Sequence, residues 1–248
     1  MIRLRLIAGC CLLLSTSFAQ AIDADELIRK NIDARGGMAA IKALKSVALT
    51  GKFRGGGGFE ADYAERIGRP SLLRQEFSIQ GMTQIQAYDG KEAWQISPFG
   101  GRKDPDKLPE DIRKSMETRA DVEGPLVDYA SKGHRVAYLG TEDVDGTEAH
   151  KLKVLLKNGN EMTYYFDPDF FLEIRVQSKE FVRGSEQESE TDLGDYEQHG
   201  GVFFPTAIDS GAKGSSSDEK AKIEVTTIEV NVELDPAQFA FPANSPKS

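Results

Sequence analysis

The side chains that most often carry out chemistry are few in this sequence and are not grouped. The three histidines are His134, His150 and His199, and none has the HxxxH or HExxH spacing of a helical metal site. The chain has no GxSxG turn for a serine nucleophile. Its two cysteines, Cys10 and Cys11, lie in the predicted signal peptide at residues 1–21, so the mature protein would have no cysteine nucleophile. The sequence therefore predicts no catalytic residues, no metal site and no cofactor.

Two short motifs resemble ligand-binding loops but lack the residues that would complete them. The glycine run at 55–58 is not followed by the Lys-Ser or Lys-Thr pair of a phosphate-binding loop, and no helix pattern begins there. The sequence Asp-Val-Asp-Gly at 143–146 begins like a calcium loop, but the further ligands and the final glutamate are missing. Both motifs are therefore predicted to be turns or bulges between strands.

The residues with the clearest functional potential are instead large and apolar. If the strands that carry them form a strongly curled sheet, their side chains would line its concave side and either fill a solid core or leave a slot beneath helices. Such a slot would hold an acyl chain by burying its methylenes, each worth about 0.8 kcal/mol. The candidate ligand-contacting residues are Phe53, Phe77, Ile79, Trp94 and Ile96 on the sheet, and Leu126 and Tyr129 on a helical lid.

The segment from residue 47 to residue 94 shows a period of two, which is typical of half-buried strands. Apolar and polar side chains alternate from Val47 to Phe53, and the alternation recurs in several further short runs. Because only short turns separate the runs, they predict an antiparallel meander rather than parallel strands with helical crossovers. Trp94, the only tryptophan, could also be an ordinary core residue.

Two helical regions are predicted to cover the sheet. The N-terminal helix begins with Asp23 as its N-cap and Glu26 at the third helical position, and a glycine pair ends it before a second short helical turn. A central insert spans about residues 107–132, where Pro109 favours a helix start. The Gly-Pro pair at 124–125 should split this insert into two helical pieces.

The rest of the chain predicts loops and further strands. Residues 97–107 are rich in Gly, Pro and charge and are predicted to be a loop, whereas residues 185–197 are either a polar strand or a loop. In the last strand the apolar phase switches between Val225 and Ile228, as a bulge or burial on both faces would require. About eleven strands are too many for a flat sheet. The predicted fold is therefore mainly β (α+β), an incomplete and strongly curled antiparallel barrel.

Residues 1–21 are predicted to be a secretory signal peptide. A basic start precedes an apolar run that is shorter than the ~20 residues of a membrane span, and Ala-Gln-Ala at 19–21 provides a cleavage site. Cys10 ends a sequence like a lipoprotein processing box, but the apolar run continues beyond it, so a lipid anchor is not favoured. Residues 22–248 are predicted to form a single exported domain without cysteine, stabilised by core packing.

Composition excludes one class of partner. The chain carries 40 acidic and 31 basic residues, which gives a formal net charge of −9. An acidic chain of this kind disfavours binding to nucleic acid and electrostatic adhesion to anionic lipid surfaces. No nucleic-acid partner is therefore predicted.

Several short motifs, together with the order of the predicted elements, resemble a known family. The motifs are Ala87-Tyr88-Asp89-Gly90 followed by Ala93-Trp94, Gly124-Pro125-Leu126-Val127-Asp128-Tyr129, Lys132-Gly133, and Thr163-Tyr164-Tyr165-Phe166-Asp167. They resemble the LolA/LolB-like superfamily, and more closely its outer membrane lipoprotein-sorting type. The resemblance covers most of residues 22–242. It implies an incomplete β-barrel whose helices cover an apolar cavity.

The resemblance also implies a function. It suggests a periplasmic, non-catalytic carrier that binds a lipid or the acyl chains of lipoproteins and exchanges them with inner- and outer-membrane partner proteins. In this interpretation the half-barrel spans residues 22–248, and the insert at about 107–132 is a lid. The alternative is an envelope sensor or regulatory scaffold of the same fold that binds a membrane protein.

Overall fold

The computed structural model describes residues 22–182 and 184–242, which form one antiparallel sheet with three α-helices. The strands are β1 (Ser46–Arg54), β2 (Glu60–Gly68), β3 (Leu72–Ile79), β4 (Met82–Tyr88), β5 (Ala93–Ser97), β6 (Arg102–Lys107), β7 (Arg135–Val144), β8 (Thr147–Leu155), β9 (Glu161–Phe166), β10 (Glu173–Val182), β11 (Ser185–His199), β12 (Val202–Ala212) and β13 (Ala221–Val230). Their order in the sheet is β6-β5-β4-β3-β2-β1-β13-β12-β11-β10-β9-β8-β7. Because β6 and β7 are its edges, the sheet is curled but open, which confirms the predicted incomplete barrel.

The first strands keep the predicted alternation. Val47 pairs with Ile67, and Ile67 pairs with Leu73, so apolar residues of β1, β2 and β3 share one face of the sheet. We call this face the inner face, because the helices pack against it, and the opposite face the outer face. The antiparallel meander follows directly from this period of two.

The irregularity predicted for the last strand is also present. Thr50 of β1 pairs with Thr227, whereas the next residue, Gly51, pairs with Val225. The skipped residue is a β-bulge in β13, and it brings Val225 and Ile228 to the same side, where both are buried in the main core. The switch in apolar phase was therefore a correct sign of this bulge.

The prediction of a loop at 97–107 is wrong, because this region contains β6. The sheet has thirteen strands among the described residues, whereas the sequence predicted about eleven. Asp106 pairs with Gln95 and Lys107 with Trp94 at the edge of the sheet. Pro105 and the charged residues around it are typical of an edge strand, because they discourage pairing with a further strand. The composition that indicated a loop is that of a protected edge. The polar segment at 185–199 is also a strand, the long β11.

The N-terminal helices form as their sequence signals predict. α1 (Ala24–Ala34) is capped by Asp23, whose Oδ1 accepts a hydrogen bond of 2.8 Å from the Glu26 N–H. Gly36 turns the chain with a φ of 120° into α2 (Met38–Ala43), and a Cβ at Gly36 would lie 1.9 Å from the carbonyl oxygen of Gly201. This close approach lets the end of α1 pack directly on β12.

The central insert is only partly helical. α3 (Glu110–Arg119) follows Pro109 as predicted, but residues 121–133 form successive turns instead of a second helical piece. Gly124 has a φ of 83°, Pro125 lacks an N–H, and Asp128 has a φ of 52°. These three features interrupt the helical hydrogen-bond pattern, so the prediction of two helical pieces is wrong.

The helices bury two separate apolar clusters on the inner face. The smaller cluster packs α3 on β3 to β5, where Met116 and Ala120 contact Leu73, Tyr88 and Ala93. The main core lies under α1, α2 and the turns at 121–133. Its buried members are Leu27, Ile28, Ile32, Ile41, Leu44, Val47, Leu126, Val127, Leu152, Val154, Leu156, Tyr164, Phe166, Val202, Val225 and Ile228.

The outer face of β3 to β5 is covered by the C-terminal segment 235–242. Phe239 is completely buried, and its carbonyl oxygen accepts a hydrogen bond of 2.8 Å from Trp94 Nε1. Phe241 packs edge-on against Trp94 at 6.3 Å between ring centroids. This part of the sheet is therefore buried on both faces.

Two features bear on the predicted relation to the membrane. The predicted signal peptide at residues 1–21, including Cys10, lies outside the described residues. Within the residues that are described, no helix combines the length and the apolar character needed to cross a bilayer.

Candidate ligand-binding groove

A row of aromatic side chains runs along the inner face of β1, β2 and β3 to the rim of the sheet. Tyr63 and Phe77 are direct cross-strand partners, with 5.1 Å between ring centroids, and Phe53 contacts Phe77 at 5.1 Å. Phe53 contacts Phe59 at 5.9 Å, and Phe59 contacts Phe99 at 6.3 Å. We call these five residues the aromatic row. Such offset and edge contacts give a continuous apolar surface.

The aromatic row becomes more exposed toward the rim. Tyr63 is buried, whereas Phe53 and Phe77 are half-buried although they lie on the inner face. Phe59 and Phe99 expose 39% and 38% of their surface at the rim. Contiguous exposed apolar surface of this kind often marks a binding site. The inner face therefore carries a partly exposed apolar surface that runs from Tyr63 to the rim, and we call this surface the groove.

The inner face of β10, β11 and β12 is smaller and more polar. Val176 is half-buried against the main core, and the register places Thr191 beside it and Ser210 beside Thr191. The hydroxyls of Thr191 and Ser210 are 2.9 Å apart, and Ser178 pairs with Ser189 on the same face. The inner face is thus aromatic on β1 to β3 and rich in hydroxyl groups on β10 to β12.

A closed set of hydrogen bonds joins α3 to the inner face beside Tyr63. Arg119 Nη2 donates to Glu65 Oε2 at 2.7 Å, and Arg119 Nη1 donates to Gln75 Oε1 at 2.9 Å. Gln75 Nε2 donates to the Tyr63 hydroxyl at 2.9 Å, and this hydroxyl donates to Glu65 Oε2 at 3.0 Å. We call Tyr63, Glu65, Gln75 and Arg119 the polar ring.

The polar ring lies at the inner end of the aromatic row, because Tyr63 belongs to both. Glu65 and Gln75 are buried on the sheet, whereas Arg119 exposes 51% of its side chain. Burial opposes the charge on Arg119, but Glu65 outweighs this effect, so the pKa of the guanidinium is raised. Burial, together with Glu65, also raises the pKa of Tyr63. The ring therefore contains an ionised pair and a neutral phenol.

α3 packs on the inner face beside Tyr63 through polar contacts and one small apolar cluster. Ser115 Oγ donates to Glu180 Oε2 of β10 at 2.6 Å. Asn158 Nδ2 donates to the Lys114 carbonyl at 3.3 Å and to Thr118 Oγ1 at 3.2 Å. The apolar contacts of α3 are confined to the small cluster at its other side. A helix with so little buried apolar surface can be displaced at lower cost than α1.

The structure separates the five residues predicted to share the concave side. Phe53, Phe77 and Ile79 lie on the inner face, but Trp94 and Ile96 lie on the outer face. Trp94 pairs with Ala87, and Ala87 pairs with an outer-face residue of β3. The prediction for Trp94 and Ile96 is therefore wrong in position. Alternation shows that two residues share a face but not which face, and here both faces are buried.

Leu126 and Tyr129 are also not brought together with the aromatic row. Leu126 is buried in the main core, and the Tyr129 hydroxyl donates to Asp25 Oδ1 of α1's first turn at 2.6 Å. Both residues lie in the fixed turns at 121–133 rather than on α3. The element that reaches the inner face beside Tyr63 is the helix before them, α3.

The polar ring was not identified from the sequence, although a signal was present. Glu65 and Gln75 occupy positions in β2 and β3 that have the apolar, inner-face phase, and they are direct cross-strand partners. A polar residue at a buried position needs a partner, because an unpaired buried polar group is costly. Two such residues side by side therefore indicated a third polar group, which Arg119 provides from a distant helix.

A second groove, of about 590 Å³, lies between the end of α3, the β2–β3 turn and the turns at 121–133. It is lined mostly by charged and polar residues. One of its lining residues is Glu123, a buried carboxylate that accepts hydrogen bonds from Arg69 at 2.5 Å and Lys42 at 3.0 Å. Burial pushes the pKa of Glu123 up, but these two cations outweigh it and hold the pKa below its ordinary value. This network joins α2, the β2–β3 turn and the turns at 121–133.

The histidines have structural partners. His134 Nδ1 accepts a hydrogen bond of 3.1 Å from the Lys157 N–H, and His150 stacks on Phe171 at 5.8 Å between ring centroids. Burial is the first cause that lowers the pKa of both His134 and His150. Among the described residues, no three His, Cys, Asp or Glu side chains are arranged to hold a metal ion.

Most of the chain aligns with solved structures of the same fold. An outer membrane lipoprotein-sorting protein domain from Vibrio parahaemolyticus, described as putative, aligns with a TM-score of 0.56 at 10% identity, covering 86% of this chain and 95% of that domain. A LolA superfamily protein from Nitrosomonas europaea aligns with a TM-score of 0.57 at 13% identity, covering 89% and 98%. This chain has the LolA-like fold.

A third solved structure also aligns with most of this chain. A DUF1329 family protein from Desulfovibrio piger aligns with a TM-score of 0.52 at 11% identity, covering 87% of this chain and 96% of that protein. No protein-family model matches the sequence, and no curated protein sequence does either. At these identities the LolA-like fold is what the proteins share.

Proposed function

We propose that this protein is a periplasmic, non-catalytic carrier or binding protein for a lipid or for the acyl chains of lipoproteins. The observation that carries the proposal is the aromatic row, which runs from a buried residue to an exposed rim on the inner face. The LolA-like fold supports the proposal as an analogy at the level of the fold.

The energetics of an acyl chain suit this groove. Each methylene moved from water to the aromatic row gains about 0.8 kcal/mol, and no charged group is needed at the contact. Phe53, Phe77 and Ile79 are the proposed contacts in the groove, and Phe59 and Phe99 are the proposed contacts at the rim. The binding should therefore depend on chain length more than on ionic strength.

Entry of the ligand would require a movement of α3. The polar contacts of this helix to β10 and to Asn158 can be exchanged for water, whereas the main core under α1 can stay intact. α3 is thus the proposed cover. The predicted signal peptide supports a periplasmic location, where membrane proteins would deliver and accept the ligand.

The test is uptake of a neutral apolar dye, 1-N-phenylnaphthylamine, whose fluorescence rises in apolar surroundings. Wild-type protein should bind it, and Phe77→Ser should weaken binding about tenfold, since an aromatic contact is worth roughly 1.5 kcal/mol. Phe59→Ser at the rim should weaken it less and carries little risk of unfolding. Phe170→Ser is the matched control, because Phe170 is 72% exposed and lies on the β9–β10 turn.

Two results would count against the carrier. The wild-type protein could fail to bind the dye, or the Phe59 and Phe77 variants could bind it as well as the Phe170 variant while circular dichroism shows all of them folded. Absence of dye binding together with capture of a membrane protein would favour the scaffold hypothesis instead.

A further inference from the structure

The polar ring is the first polar group that an amphiphile would meet at the inner end of the groove. Tyr63 links the two features, since its ring contacts Phe77 at 5.1 Å and its hydroxyl hydrogen-bonds to Glu65 and Gln75. If an acyl chain lay along the aromatic row with its chain end at the rim, its head group would lie beside Tyr63 and the Arg119–Glu65 pair. The chemistry of the ring should therefore influence which head groups are accepted.

The ring has no net charge, and its four members hydrogen-bond to one another. The charge on Arg119 is matched by Glu65 at 2.7 Å, and the remaining members, Tyr63 and Gln75, are uncharged. Glu65 accepts two hydrogen bonds, and Gln75 both accepts and donates one. A ligand beside the ring therefore finds no uncompensated positive charge, although half of the Arg119 side chain is exposed.

A second carboxylate lies on the same side of the molecule. Glu180 of β10 is on the inner face, and it accepts hydrogen bonds from Ser115 Oγ at 2.6 Å and Asn160 Nδ2 at 3.1 Å, both uncharged donors. Ser115 and Arg119 belong to the same helix, and the charge of Glu180 also helps to raise the pKa of Arg119. The carboxylates that act on Arg119 therefore include Glu180 as well as Glu65.

We infer that the groove accepts amphiphiles with an uncharged hydrogen-bonding head group, such as an acyl ester of glycerol, and discriminates against the ionised carboxylate of a free fatty acid. This inference rests on the proposed lipid-binding function. An ester carbonyl or hydroxyl can accept a hydrogen bond from the accessible face of Arg119 without changing the local charge. A carboxylate must displace Glu65 or remain near Glu65 and Glu180 without a counter-ion, which is costly in a partly buried site.

The test compares two ligands with the same chain, dodecanoate and 1-monododecanoylglycerol, in displacing bound 1-N-phenylnaphthylamine at about pH 8, where the carboxylate is ionised. The glycerol ester should displace the dye at a concentration at least tenfold lower. In Glu65→Gln the side chain bonded to Arg119 no longer carries a negative charge, so dodecanoate should improve about tenfold while the ester changes little. Asp62→Asn removes the same charge from the outer face of the same strand, where Asp62 is exposed and paired with Lys52, and should change neither ligand.

Equal displacement by the two ligands on wild-type protein would overturn the inference, and this comparison needs no variant to fold. An equal response of Glu65→Gln and Asp62→Asn would overturn it as well. These results differ from failure of the proposed function, in which wild-type protein takes up no dye at all.

Discussion

The position of Trp94 under the C-terminal segment can be tested by truncating one buried side chain. Phe239 exposes 0% of its surface, and Trp94 exposes 2%. Replacement of a completely buried phenylalanine by alanine typically costs about 3–5 kcal/mol, because transfer energy is lost and a cavity remains. Phe239→Ala should therefore lower the free energy of unfolding by this amount. Phe170→Ala is the matched control and should change it by no more than about 0.5 kcal/mol.

The assay is urea unfolding, followed both by circular dichroism and by the fluorescence of Trp94, the only tryptophan. In native Phe239→Ala the emission of Trp94 should shift to longer wavelength, because water reaches the indole ring. Uptake of 1-N-phenylnaphthylamine under native conditions should stay unchanged, since Phe239 lies on the outer face. The reasoning is refuted if Phe239→Ala is as stable as Phe170→Ala, or if Trp94 keeps its native emission while dye uptake is lost.

Three further predictions address other parts of the chain. Gly51→Ala should destabilise the protein by about 1–3 kcal/mol in thermal or urea unfolding, because the new Cβ would lie 2.1 Å from the Glu224 carbonyl, whereas Gly56→Ala, which meets open space, should not. The pKa of Glu123 is lowered in the folded protein, so the ionised carboxylate stabilises the fold fully above the unfolded carboxyl pKa of about 4.3, and this stabilisation is lost as the pH falls below that value. Glu123→Gln should therefore lower the free energy of unfolding near neutral pH and make it depend less on pH in the acid range. Parallel plots of unfolding free energy against pH for the two proteins would contradict this. Asn158→Ala removes two hydrogen bonds to α3 and should speed dye entry in stopped-flow mixing with little effect on equilibrium uptake; an unchanged rate would argue against α3 as the cover.

Local patterns were sufficient for much of the fold. The cap at Asp23, the alternation along β1 and the phase switch before Ile228 each arise from contacts between near neighbours in sequence or across one strand pair. Residues 97–107 were misjudged because Pro and charged residues occur both in loops and in edge strands. Only the neighbouring strand distinguishes the two.

The candidate site was predicted less completely than the fold. Phe53 and Phe77 were placed correctly on the inner face by alternation, but Trp94 was not, because its covering segment comes from the far end of the chain. Arg119 was missed, since it reaches Glu65 from an element more than fifty residues away in sequence. Pairings of this kind leave no periodic signal.

By itself, the sequence determined an open, curled antiparallel β-sheet with an N-terminal helix and a central insert, since hydrophobic period, turns and caps are local properties. The tertiary structure alone decided which face of each strand is inner, that α3 rather than the turns after it reaches the inner face beside Tyr63, and that Arg119 completes a polar ring with Glu65, Gln75 and Tyr63. The physical reason is that a strand buries whichever face another part of the chain covers, and that the partner of a buried charge can come from any distance along the sequence.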